Sequence, residues 1–385
     1  MNPEHRIKIL DLSTHWSGSV ASRHLSHLGA EVVKLENPKF GDGNRGLGPL
    51  IAGEGMSHIV LNAGKRSVTV DRRSAEWPET LRRSALWADV VIVGSQPGAA
   101  KARSLDFDSF VAMNGRIVYC NISGYGEVGP WADYPLHGLN GDVVSGLVPI
   151  EMRDGLPVPR QDYRSVGSTL AGFEAAIGIL EGLRRRDLGL GAQCVTTSVW
   201  ETAMFWQWRD MATSVNTDEP SFVYADLGSR YAMYSTADDR VVLVCPIERK
   251  FWESFCDLLD LPAAWKAEGS WDSSGMDWGK GRIAERTLIA ERIRERLLSH
   301  WLVSLKQAGV PFSPLYTVKE ATETDHAHAQ GVMAATIVND REVMVPNIPL
   351  HITTPADRTG ARGPDRIAPP PKLGADTAEF LRGLG

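Results

Sequence analysis

Several ingredients are scarce in this sequence, and each scarcity excludes something. Cysteine is rare: the 385 residues hold four, Cys120, Cys194, Cys245 and Cys256, with no CxxC spacing. That excludes a disulfide frame or a cysteine zinc site, and reduced core thiols of a cytosolic protein are expected instead. Long apolar runs are missing too. No stretch reaches the roughly 18 apolar residues of a membrane span, and the opening MNPEHRIKIL is too polar for export, so a soluble, cytoplasmic protein with no membrane partner is expected. Basic charge is not in excess. Lys and Arg number 41 against 47 Asp and Glu, a formal net charge of -6, and without a concentrated basic surface no nucleic-acid partner is expected. Two phosphate-binding fingerprints are also absent: STHWSGSVAS, not GxGxxG, follows the first strand-like run, and GxxxxGK[ST] occurs nowhere.

What is present is a core-forming composition. Hydrophobic residues make up 43% and charged ones 23%, the balance of a folded chain rather than a disordered one. The length exceeds that of a usual single-core domain, which favours two domains or one large domain with an insert. IKILDLS, AEVVKLE, DVVIVG and RIVYCNISGYG read as buried strands, with VASRHLSHLGA and EWPETLRRSALWA as amphipathic helices among them. Strand and helix alternating in this way predict a parallel α/β sheet with right-handed crossovers, and ligands on such sheets bind beyond the carboxyl ends of the strands. NPKFGDGNRGLGPLIAGEG, residues 37 to 55, is too rich in glycine and proline for a regular element and reads as a mobile functional loop. From Tyr224 to Thr324 the character changes to a strand pair followed by helices, a candidate second domain.

Nine segments, in order along the chain, resemble the family III CoA-transferases, the group of formyl-CoA transferase, carnitine CoA-transferase and α-methylacyl-CoA racemase. They are ILDLSTHWSGSVASRHLSHLGAEVVKLE, GDGNRG, LNAGKRSVTVD, ADVVIVGSQPG, NGRIVYCNISGYGEVGPW, GLNGDVVSGL, AGFEAAIGILEGL, AGVPFSPLYTVKEA and PPPKLGADTAEFL. The resemblance implies a large Rossmann-like domain built from residues 1–205 and 340–385, a small α/β domain at 224–324, linkers at 206–223 and 325–339, and two chains interlocked as a dimer. It implies coenzyme A and acyl-CoA as substrates, with no metal. In this family an aspartate at the start of a helix attacks the thioester, giving a mixed anhydride and free CoA thiolate. The thiolate returns to form an enzyme-bound thioester, and the acceptor acid then reverses the sequence. A carboxylate suits such exchange because every intermediate stays near a thioester in energy.

This sequence departs from that pattern at the helix in DYRSVGSTLAGFEAAIGIL. Ser168, or Gly167 with a one-residue shift, stands where the aspartate belongs. Ser168 is thus the candidate catalytic position, and its plain reading is a helix cap. Asp162 and Asp142 lie nearby as alternatives for a relocated nucleophile, and their plain reading is a solvated turn or helix-surface carboxylate; Glu174 points to another helix face. His137 matches a histidine that the racemase branch uses for α-proton transfer, without that branch's aspartate. Candidate CoA contacts are His15, Trp16 and Ser17 in the first turn, Lys65 and Arg66 near the phosphates, Gly94 and Ser95 where an amide and an aromatic are usual, and Gly124 and Tyr125 of GYG. The family includes heteromeric transferases of the benzylsuccinate type, in which one of two homologous chains lacks the aspartate. The expected function is therefore CoA transfer between carboxylic acids, by this chain itself or as the non-catalytic subunit beside a homologous partner or a second copy. The alternative is an acyl-CoA racemase or isomerase using His137.

Overall fold

Six short strands build one parallel sheet in a computed structural model that describes residues 6–218, 228–353, 355 and 362–384. They are β1 (Lys8–Asp11), β2 (Glu31–Glu36), β3 (Arg66–Thr69), β4 (Val90–Val93), β5 (Val118–Ser123) and β6 (Gln193–Ser198). Their order is β3-β2-β1-β4-β5-β6, with every pairing parallel. That order doubles back between β1 and β4, the switch point at which open α/β sheets hold their ligands. Alternate residues of each strand feed two separate cores. Leu10, Val33, Val91 and Tyr119 pack toward α2 (Trp77–Trp87), while Ile9, Val32, Ile92 and Cys120 pack toward α1 (Trp16–His27) and, beyond a short helix α3 (Gly138–Val144), toward α4 (Gly167–Arg185). Both faces are covered over the inner strands β1, β2, β4 and β5, which is why those read as apolar runs.

The longest helix, α4, is drawn against α1 by a residue without a side chain. A Cβ on Gly172 would meet the Ser17 carbonyl at 2.6 Å and Val20 at 2.6 Å, so only glycine lets the two axes approach this closely. The helix α5 (Val199–Trp206) follows β6 directly. At the end of α4, Arg184 and Arg185 are exposed while Arg186 is buried on Asp89 at 2.8 Å.

The chain divides into two compact units, Met1–Met211 with Asp325–Gly385, and Ala212–Thr324. The expected start of the second domain, at 224, falls outside the described residues. Within that unit β7 (Ala232–Ser235), β8 (Val241–Val244) and β9 (Phe312–Pro314) form an antiparallel sheet. Its core includes Trp252 and Phe255 of α6 (Arg249–Leu259), Ile289 and Ile293 of α7 (Ile283–Arg294), and Trp301 and Leu305 of α8 (Leu298–Gln307). The stretches expected as linkers carry regular structure: a helix at Trp208–Asn216 in the first, and in the second a helix at Asp325–Gln330 and strand β10 (Met333–Val338), which pairs with β11 (Arg341–Pro346). After them the proline-rich tail ends in α9 (Thr377–Gly383) against β3: Thr377 Oγ1 accepts from Thr69 N at 2.9 Å and Asp376 from Ser67 N at 2.8 Å.

Two expectations need correcting here. The loop 37–55 is pinned rather than loose, because Asp42 and Asn44 are buried and Arg45 makes a two-pronged pair with Glu36 at 2.7 Å. All four cysteines are free, but Cys194 is exposed and Cys245 half-buried, so only Cys120 and Cys256 are core thiols.

Candidate active site

A cavity of about 530 Å³ opens at the switch point. Its walls are the segments that leave β1, β4, β5 and β6, together with the starts of α1, α3 and α4. It brings together His15, Trp16, Ser17, Gly94, Ser95, Gly124, His137 and Ser168, eight positions that are scattered over the sequence. Hydroxyls abound on the walls, contributed by Ser13, Thr14, Ser123, Tyr134 and Ser165 as well, and Leu47, Leu136 and Leu139 supply apolar surface. No carboxylate, ammonium or guanidinium lines it among the described residues.

The first turn is held in an unusual shape. His15 has φ 64° and ψ -148°, a backbone region that glycine favours. Asn44 Nδ2 donates to the His15 carbonyl at 2.8 Å, and a Cβ on Gly43 would fall 2.2 Å from His15 Nε2, so the ring lies on the pinned loop. The indole N–H of Trp16 is buried without an acceptor among the described residues. At Gly18 a Cβ would collide with Ser13 Oγ at 2.0 Å. Glycine there lets α1 start directly above the strand end, the close approach that the missing fingerprint would otherwise provide.

Under this floor lies a buried ionic cluster that no motif announced. Lys34 Nζ reaches Asp42 at 2.9 Å, Asp11 at 3.2 Å and the Ser13 carbonyl at 3.0 Å. Burial alone would raise the Asp11 carboxyl, but the ammonium groups of Lys34 and Lys65, with the Ser13 and Ser22 hydroxyls, hold it at about 2. Lys65 belongs to this cluster: its Nζ donates to Ser22 Oγ at 2.7 Å, Asn62 Oδ1 at 2.8 Å and the Ser19 carbonyl at 3.1 Å. Burial pushes it down to about 7, against the pull of Asp11. Arg66 is tied to Glu31 and Glu379, both at 2.9 Å. Neither basic residue lines the cavity, and Tyr125 also stays outside it, packed edge-on against Trp131 at 5.8 Å. The available signal was a charged residue inside each of two apolar strands, ILDLS and VVKLE, since an ion is buried only with a partner.

The mouth of α4 overturns two readings. Ser168 does not cap the helix; it is the second helical residue, and its hydroxyl makes no hydrogen bond among the described residues. The cap is Asp142, which is fully buried rather than solvated, and which accepts from Gly167 N at 3.0 Å, Val166 N at 3.2 Å and Ser165 Oγ at 2.5 Å. With three donors on it and no place on the cavity wall, Asp142 is a structural anion. Asp162 is exposed and paired with Arg160 at 2.5 Å, and Glu174 is exposed on α4. His137 begins α3 with its backbone N–H on Asn140 Oδ1 at 2.9 Å, and it has no carboxylate partner among the described residues. Ser168 sits against the start of α3, where a Cβ on Gly138 would be 2.6 Å from its Oγ. Since Asp142 offsets the positive end of α4, and α1 has no acidic residue in its first turn, α1 presents the uncompensated helix N-terminus to any developing negative charge.

A doubly wound parallel sheet with a polar crevice at its switch point, in a chain that also holds a separate antiparallel unit, defines a Rossmann-like α/β protein with a small-molecule site. The chain belongs to CoA-transferase family III, whose profile matches residues 5–377, and it is an enzyme of that CoA-transferase class. It is 27% identical to succinyl-CoA:glutarate CoA-transferase of Homo sapiens over 99% of this chain and 86% of that protein. From Chloroflexus aurantiacus, the alpha subunit of succinyl-CoA–L-malate CoA-transferase is 25% identical over 99% of this chain and 89% of its own, and the beta subunit 23% over 98% and 92%. A crystal structure of a CAIB/BAIF family protein from Brucella suis superposes with a TM-score of 0.78, at 22% identity, covering 100% of this chain and 99% of that one. No described helix is long and apolar enough to cross a membrane, and no metal-holding group of His, Cys, Asp or Glu occurs among the described residues.

Proposed function

We propose that this chain takes part in CoA transfer between carboxylic acids as the half of a two-chain complex that has no nucleophile of its own. One observation carries this reading: the mouth of α4 offers Ser168 to a cavity lined by no carboxylate among the described residues. A serine could attack a thioester only with a base beside it, and Ser168 has no hydrogen-bonded base among the described residues. The resulting oxygen ester would also lie well below a thioester in energy, a trap that free CoA thiolate does not readily reopen. His137 without a carboxylate partner favours transfer over α-proton exchange.

Exposed apolar surface supports a partner chain. Phe173, Ile177 and Leu180 on α4, Phe205 and Trp206 on α5, and Trp208 are between 39% and 65% exposed, more contiguous apolar surface than a solitary soluble chain usually leaves open. The relatives named as alpha and beta subunits support a homologous chain in that role, in the cytoplasm where acyl-CoA substrates are available.

The test is exchange of label between succinyl-CoA and a free dicarboxylate. The pure chain is expected to show none, the complex with its co-purifying homologue to be active, and Ser168→Ala to leave the complex's rate unchanged. Exchange by the pure chain would overturn the reading: if Ser168→Ala abolished it the serine is the nucleophile, and if it survived, another carboxylate is. Wash-in of solvent deuterium at the α-carbon of a 2-methylacyl-CoA, stopped by His137→Ala, would instead make the chain a racemase.

A further inference from the structure

Five cations are buried among the described residues, Arg23, Lys34, Lys65, Arg186 and Arg230, none more than 7% exposed. Four of them have a carboxylate within reach: Lys34 at 2.9 Å from Asp42, Lys65 at 3.7 Å from Asp11, Arg186 at 2.8 Å from Asp89 and Arg230 at 3.0 Å from Glu285. Arg23 is the exception. At 5% exposure it has no carboxylate within 4 Å among the described residues, and its one hydrogen bond there runs from Nε to the Val60 carbonyl at 3.2 Å. Burial pushes its guanidinium down, with no anion opposing the shift. An uncompensated buried charge costs several kcal/mol unless something pairs with it.

Arg23 lines a second cavity, of about 390 Å³, at the amino ends of the strands and so at the far end of the sheet from Ser168. Its wall includes Arg6 ahead of β1, Gly29 and Ala30 ahead of β2, and Gly64 ahead of β3. No Asp or Glu lines it among the described residues. Ser26 Oγ, free of protein partners among the described residues, faces Gly64, where a Cβ would stand 3.6 Å away. His27 closes one side, its Nε2 2.8 Å from the Leu350 carbonyl.

We infer that this cavity is an oxyanion site, in which the Arg23 fork receives a phosphate or carboxylate group, with Arg6 and the Ser26 hydroxyl as further donors. A guanidinium presents parallel N–H groups that match two oxygens of such a group, and does so most strongly where water is excluded. The Asp11 carboxylate, which accepts from the Ser22 hydroxyl next to Arg23 in the chain, is already committed to Lys34 and Lys65, so the missing negative charge comes from outside the protein. The site is independent of CoA transfer and does not need exchange activity to be tested.

The full chain, in buffer free of phosphate and carboxylates, is titrated with inorganic phosphate in one arm and succinate in another while thermal unfolding is followed. Saturable binding in one arm is expected to raise Tm by about 5 °C at a hundred times Kd, and the responding arm identifies the oxyanion class. Arg23→Gln should abolish the rise while melting no lower than the wild type without anion, because it removes the unpaired charge. Should Arg23→Gln not fold, Ser26→Ala should weaken binding several-fold in a folded protein. Absence of any rise, or a rise unchanged in Arg23→Gln and Ser26→Ala, overturns the inference.

Discussion

At the scale of single residues, three positions that the family resemblance singles out in the sequence share one surface. Ser168, Gly94 and Ser95 all line the switch-point cavity. The position of Ser168 was legible in advance because the helix motif around it is intact. Its environment was not, since the neighbours that matter arrive from the turns after β1 and β5. His15 makes the same point more sharply. Its φ of 64° leaves no mark in STHWSG, and strain of this kind costs of order 1–3 kcal/mol when the surroundings impose it. His15→Gly should release that strain against a glycine backbone cost of about 0.5–1 kcal/mol, a net gain of about 1 kcal/mol. Urea unfolding with an unchanged slope would show it as a higher midpoint, and a lower midpoint would mean that the contacts with Thr14 and the Gly43 loop outweigh the strain.

At the scale of elements, four strands of the large unit, β1, β2, β4 and β5, followed from their short apolar runs, because they lie inside the sheet with both faces covered, whereas the edge strands β3 (RSVT) and β6 (QCVTTS) carry too few apolar residues to stand out. The cap of α4 did not follow either. Asp142 lies 25 positions from Gly167 in the chain, and capping by so distant a residue has none of the local spacing that a serine or threonine cap shows. A serine at the start of a helix is an ordinary cap, so the local rule pointed to Ser168, while tertiary packing brought a stronger acceptor. Asp142→Ala should leave three donors at the mouth of α4 without their acceptor and cost about 2–4 kcal/mol. Asp142→Asn keeps one carbonyl oxygen and should cost about half as much. Thermal unfolding followed by circular dichroism ranks the two; equal losses would mean that volume rather than hydrogen bonding decides the position.

At the scale of the whole molecule, the C-terminal tail closes on the elements between residues 45 and 69. The Pro371 carbonyl accepts from both Arg45 Nη atoms at 3.2 Å and faces His58 Nε2 at 3.3 Å, and Gly374 N donates to Ser67 Oγ at 2.9 Å. Together with the Asp376 and Thr377 side chains on the N–H groups of Ser67 and Thr69, the tail satisfies the free edge of β3, one way a sheet avoids pairing with another chain. Nothing in the sequence marks that His58 is sealed beneath the proline-rich tail. Burial, reinforced by the Arg45 guanidinium, lowers the His58 imidazole to about 4 from 6.5. A depressed histidine binds its proton later in the folded state than in the unfolded one, so stability rises with pH across that window and is lost as pH falls from 6.5 toward 4. Full development of the shift is worth roughly 3 kcal/mol. Asp11, held at about 2, adds its own loss only below the unfolded aspartate value of 3.8, and Lys65, lowered to about 7, acts on the alkaline side, where stability should rise further. The window between 4 and 6.5 thus isolates His58 from those two groups. Urea midpoints measured across it should fall steadily with acid in the wild type and more shallowly in His58→Gln. Equal slopes in the two proteins would show that the tail stays seated whether or not this imidazole takes up its proton, and would move the acid sensitivity to another part of the chain.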